Sequence, residues 1–157
     1  MYFKGSEPNN RESAGQLALL IEKLPEIFGR FNDAQLLSRP APGKWSKKEI
    51  LGHLVDSAIN NLERFTEIQF LPSPYLLRPY RQEALVIVNQ YQSLPTEHLL
   101  LLWKTLNRQI VYVIQSIPAE KLQFLWQVEG EADIHNLEFL IADYVAHLAH
   151  HLQQVER

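Results

Sequence analysis

The sequence predicts an all-α protein folded as one four-helix bundle, and three observations lead there. Four long segments carry apolar residues at intervals of three and four, Pro-rich stretches separate them, and no useful segment alternates apolar with polar residues as a half-buried strand would. The only β-rich triplets, Val86-Ile87-Val88 and Val111-Tyr112-Val113, are short and lie in helix-compatible frames. A chain of 157 residues fits a single domain spanning 1–157, since a domain of that size buries roughly 70% of its unfolded surface.

The first helix is expected from about Glu12 to Phe31, on the stripe Leu17, Leu20, Ile21, Leu24, Ile27, Phe28 and Phe31, with a kink or break at Pro25. Residues 1–11 are set apart as disordered or partly a remnant of cloning. Asn32-Asp33 ends the pattern, and Arg39 to Lys44 reads as a loop from its Pro and Gly content. Ser46-Lys47-Lys48-Glu49 is a capping box: the Ser hydroxyl accepts from the amide three residues on, and the Glu carboxylate reaches back. The second helix follows from Lys47 to about Phe70, where Pro72-Ser73-Pro74 stops the chain.

Between Ser73 and Gln92 the path is extended or turning, with a short helix allowed from Gln82 to Gln92. So long a connection can return the chain along the bundle and leave the second and third long helices parallel. Ser93 or Thr96 is the expected cap of the third helix, which carries Leu99, Leu102, Trp103, Leu106, Ile110, Val113 and Ile117 and ends at Pro118. A mixed connection with Trp126 and a Glu129-Gly130-Glu131 turn leads to the fourth helix, from about Asn136 to the end.

Composition excludes several functions. No Cys is present, so disulfides, thiolate nucleophiles, iron–sulfur clusters and Cys-based zinc sites are ruled out. A formal charge of −3 and a sequence pI near 6.1 lack the basic footprint of a nucleic-acid binder. No apolar run approaches the ~20 residues of a membrane span, and MYFKGSEPNNRES has no apolar signal-peptide core. The expectation is a cytoplasmic protein without nucleic-acid or membrane partners. Any metal site must be built from His and carboxylates.

Of six His, three fall together: His147, His150 and His151. At about 100° per residue, His147 and His151 lie about 40° apart on one helix face, a face shared with Leu140 and Tyr144. His150 lies toward the rim, as a solvent-facing or entrance group. Two inward imidazoles on consecutive turns can hold one metal ion. The best third ligand is His53, one turn into the capped second helix, because antiparallel packing brings that turn to the late fourth helix. A site of His53, His147 and His151 keeps open positions for water or substrate. The competing reading makes them ordinary rim and core histidines. Asp143, one turn before His147, could orient an imidazole or join the coordination, or be a solvated helix residue. His98 and His135 are expected at the surface, and Ser57 as helix filler. Trp45, Trp103 and Trp126 read first as core, with one or two able to wall a pocket.

Other constellations fail. No Glu-x-x-His motif supports a ferritin-like di-iron centre, and neither a Gly-x-Ser-x-Gly elbow nor a Gly-rich phosphate loop is present.

Two stretches, PGKWSKKEILGHLVDS (42–57) and LEFLIADYVAHLAHHLQQV (137–155), resemble the DinB-like (YfiT-like) four-helix-bundle proteins. With the helix order and the long second connection, the likeness covers nearly the whole chain. It implies an up-down-down-up bundle, frequently a homodimer, with a divalent metal on three His that match His53, His147 and His151. Members look like metal-dependent hydrolases or thiol S-transferases that use small cofactor thiols.

The expected function is therefore a metal-dependent enzyme on a small-molecule substrate. Zinc or nickel is the expected ion, a low-molecular-weight thiol is a candidate cosubstrate, and no catalytic residue is assigned. The alternatives are a non-enzymatic, stress-related bundle binding a metal or small ligand, and a structural dimer whose His cluster is incidental.

Overall fold

Proline and capping side chains divide the chain close to where the periodicity does. In the computed structural model, which describes residues 10–157, helix α1 spans Asn10–Phe28, α2 Asp33–Leu37, α3 Lys47–Glu67, α4 Gln82–Val88, α5 Thr96–Ser116 and α6 Leu137–Glu156. The expectation for residues 1–9 lies outside the described residues, whereas Asn10 and Arg11 open the first turn of α1. That helix runs on through Pro25 instead of splitting there. It stops at Phe28, short of Phe31.

The Ser46 capping box forms as read: the Glu49 amide donates to Ser46 Oγ at 3.1 Å and the Ser46 amide to Glu49 Oε2 at 2.8 Å. Arg39 adds a two-pronged contact to the same carboxylate at 3.0 and 2.6 Å. A second box, Asn32 with Gln35, starts the unexpected α2. The expected Ser93 or Thr96 cap of α5 is replaced by Pro95, which makes no side-chain cap bond and leaves Thr96 as the first helical residue.

The connections hold a sheet that the sequence reading did not anticipate. Strands β1 (Tyr75–Leu77), β2 (Leu125–Val128) and β3 (Ile134–Asn136) pair in that order, β1 parallel to β2 and β2 antiparallel to β3. Segments of three or four residues carry too little alternation to reveal a strand, and their pairing is a tertiary event. The fold class stands; the sheet is a minor addition to it.

Named contacts give the directions of the long helices. Lys47 donates to the Val155 carbonyl oxygen while Phe65 meets Tyr144 edge-on at 5.7 Å, so α3 and α6 are antiparallel. Asn10 donates to the Ile114 carbonyl oxygen and Lys104 pairs with Glu22, so α1 and α5 are antiparallel too. Arg30 and Glu156 meet at the ends of α1 and α6, which makes those two parallel. The bundle is therefore up-down-down-up, with α3 and α5 pointing the same way. The core between them includes Leu17, Leu24, Leu54, Phe65, Trp103, Ile110 and Leu148.

Candidate metal centre

The site begins with the capping box, which fixes the start of α3 and hence the turn bearing His53. That residue is 1% exposed. Antiparallel packing sets it against the last turns of α6. His53 Nε2 and His147 Nε2 lie 3.3 Å apart, and the three rings of His53, His147 and His151 have centroids 4.5–5.6 Å from one another. One nitrogen from each falls within 4.8 Å of the others. Among the described residues this is the only group of three or more metal-type side chains so arranged.

The spacing suits an ion better than a hydrogen bond. Zinc–nitrogen bonds of about 2.0–2.1 Å at a tetrahedral angle place two ligand nitrogens about 3.3–3.4 Å apart, whereas N–H bonds favour about 2.9–3.0 Å. Protonation agrees with ligation. Burial, reinforced by His151 and His147, pushes His53 down to about 4. His147 and His151 are lowered in the same direction, again chiefly by burial. Neutral imidazoles at pH 7 are what a divalent ion requires. His151 Nδ1 lies 2.9 Å from Gln154 Oε1. A donor at Nδ1 leaves Nε2 with its lone pair free, so Gln154 selects the tautomer able to bind a metal.

The other sequence candidates fall outside the cluster. His150 is exposed, with its ring centroid 5.7 Å from that of His151. Asp143 is exposed on α6 and is not among the clustered groups, although its charge favours protonation of His147. His98 is exposed as expected. His135 departs from its surface assignment: it is half-buried and stacked on Phe139 at 4.5 Å, beside Trp126. Trp103 and Trp126 are core, while Trp45 tilts over His53 at 5.0 Å and walls a cavity of about 540 Å³ that also reaches Gln154. Ser57, expected as helix filler, is buried and lines a second cavity, about 370 Å³, that His147 also lines.

Three further residues lie on or next to the elements of this site without a role in the sequence reading: Gln154, Asp56 and Tyr91. Asp56, one turn beyond His53, is buried with Oδ1 accepting from Tyr91 and Asn89. Its Oδ2 and the Nδ1 of His53 are both buried without a hydrogen-bond partner. The spacing of Asp56 from His53 was visible in the sequence; the approach of Tyr91 from a distant turn was not.

These features define a class of protein: a four-helix bundle whose two antiparallel neighbours, α3 and α6, bring together three imidazoles able to hold a metal ion. Residues 16–155 match the DinB superfamily, and the chain belongs to it. Among solved structures, YfiT from Bacillus subtilis, described as a probable metal-dependent hydrolase with an unusual four-helix bundle topology, aligns with a TM-score of 0.87. That alignment covers 99% of this chain and 89% of YfiT at 20% identity. The mycothiol-dependent maleylpyruvate isomerase aligns with a TM-score of 0.73 over 93% of this chain and 60% of its own, at 9% identity. At such identities the likeness is one of fold. No curated protein matches the sequence.

Proposed function

We propose that this protein is a metal-dependent enzyme in which His53, His147 and His151 hold one divalent ion, zinc or nickel, and which acts on a small molecule. The observation that carries the reading is the 3.3 Å approach of two imidazole nitrogens from separate helices, with His151 completing the group. A bound ion supplies a Lewis acid at which a water or a thiol gives up its proton more readily. The protein's part is to bury neutral imidazoles, set their tautomers and limit water around them. Gln154 orients His151, Trp45 covers His53, and the cavity that His147 lines admits the substrate.

Hydrolysis and thiol S-transfer are the two reactions such a site supports. The absence of Cys favours a thiol that arrives as cosubstrate, because the chain has no thiolate of its own. The family resemblance also supports a homodimer.

The test is elemental analysis of untagged protein beside a His151→Ala variant. About one ion per wild-type chain, with most of it lost in the variant, is the expected result; equal content in both overturns the ligand set. A metal-loaded sample is then offered a thiol with an electrophile, and a panel of esters and amides. Turnover of either identifies the reaction, whereas tight metal binding with no turnover replaces the enzyme with a metal-binding bundle.

A further inference from the structure

Arg64, in the last turn of α3, is half-buried, and among the described residues no carboxylate forms an ion pair with it. One hydrogen bond is made: Nη2 donates to the Arg78 carbonyl oxygen at 2.9 Å. The guanidinium lies over the Tyr80 ring, 5.3 Å from its centroid. Burial pulls its pKa below the usual guanidinium value, against the weaker pull of Tyr80, Tyr75 and Glu63, yet a guanidinium stays charged in a protein. A partly desolvated, immobilised cation with most donors unused is suited to an incoming anion, which Arg grips with two parallel bonds.

The cavity gives that anion a place. Arg64 lines the 370 Å³ space that His147 also lines, and it borders a separate cavity of about 520 Å³ beside Glu63 and Glu67. The α3 wall runs from Ser57 through Asn61 to Arg64, about 10 Å of helix rise. Two acids line this space as well. Asp143 lies one turn from His147, and Glu131 stands on the turn between β2 and β3; both are exposed to water. The cavity is thus polarised, with an acid close to the metal centre in the chain and the cation farther along α3. An anionic end is drawn to Arg64.

We propose that Arg64 anchors the carboxylate of an elongated organic anion, whose reacting group then lies beyond the Ser57 end of this wall, at the His cluster. This rests on the cavity beside His147 being the substrate site. Arg64 sets specificity and takes no part in bond making.

The test uses two hydroxamates, chosen because that head group seeks a bound metal whatever the reaction: the monohydroxamate of octanedioic acid and its terminal primary amide. Zinc-loaded wild type, titrated calorimetrically, is expected to bind the acid about tenfold or more tightly than the amide, the scale of a charge-assisted Arg–carboxylate contact. Arg64→Gln removes that preference and leaves affinity for the amide unchanged, which also shows that the variant is folded. Arg64→Lys keeps part of the preference. Equal affinity of wild type for the two compounds overturns the proposal. Octanoate and octanamide, compared by NMR on metal-free protein, separate this proposal from the metal reading. If zinc-loaded protein ignores both hydroxamates while octanoate is still preferred through Arg64, the metal reading falls and the anchor stands. No preference for octanoate counts against the anchor.

Discussion

The Tyr91 hydroxyl donates to Asp56 Oδ1 at 2.5 Å, and it reaches that far because residue 52 is glycine. A Cβ at Gly52 would lie 2.2 Å from the Tyr91 ring, well inside van der Waals contact. The ring lies directly on the backbone of α3, one residue before His53. Gln90, at a left-handed φ of 53°, turns the chain into this contact. Gln92 ties the same turn to the Ser46 cap, accepting from its hydroxyl at 2.6 Å.

Gly52→Ala should therefore destabilise, despite alanine's better helix propensity. Displacing Tyr91 costs about 1–3 kcal/mol plus the loss of its bond to Asp56, against a gain of about 1 kcal/mol from propensity. Gly15→Ala in α1, where nothing lies within 4 Å of the new Cβ, should instead stabilise by about 0.5–1 kcal/mol. Urea melts of the two variants check the opposite signs; equal shifts would show that the Tyr91 contact carries no weight.

Asp56→Asn keeps an acceptor for Tyr91 and removes a carboxylate one turn from His53. Asp56 makes no hydrogen bond to His53, so its charge acts on a bound cation only through space, and zinc affinity should fall by less than the 10–100-fold that loss of a hydrogen-bonded carboxylate costs. Burial raises the pKa of Asp56, so its charge is held at a cost, and the metal-free variant should melt no lower than wild type. Competition with a chelator and a thermal melt read the two effects separately. Unchanged zinc affinity would reduce Asp56 to a packing residue.

Inside the bundle, Tyr144 donates to Asn107 Oδ1 at 2.6 Å, and Asn107 donates to the Trp103 carbonyl oxygen at 2.9 Å. Both side chains are buried. Asn107→Ala strands the Tyr144 hydroxyl and should cost about 1–3 kcal/mol. Pairing it with Tyr144→Phe should recover part of that loss, because the orphaned hydroxyl is gone. A double-mutant cycle by denaturant unfolding measures the coupling, and strict additivity would refute it.

The pH dependence of the metal-free protein has a definite sign. His53 is held near 4 in the fold, against about 6.5 in the unfolded chain. Between those values the unfolded chain binds more protons, so stability rises with pH and flattens above about 6.5. His147 and His151 are shifted the same way and add to it. The raised carboxyl of Asp56 works in the opposite direction at the acid end. Melting temperatures from pH 4 to 8 should climb in wild type and climb less steeply in His53→Gln. Parallel curves would show that His53 is not buried in its neutral form.

Much of this was legible in the chain because the signals are local. Ser46 and Glu49 lie three residues apart and mark a helix start wherever they occur before an apolar stripe. His147 and His151 share a face by the arithmetic of one helix. The Asn32–Gln35 box is equally local. What stayed hidden is non-local: three short strands that exist only as partners, Tyr91 seated on Gly52, and Arg64 opening into the cavity that His147 lines.

By itself, then, the sequence determined the four helices, most of their boundaries and the shared face of His147 and His151, since periodicity, caps and prolines act within a turn or two. Only the tertiary structure decided that α3 and α6 run antiparallel at a register that places His53 Nε2 3.3 Å from His147 Nε2. Helix stripes say that two faces will be buried; the register at which they meet comes from side-chain packing summed over the whole interface, and no single stretch of chain contains it.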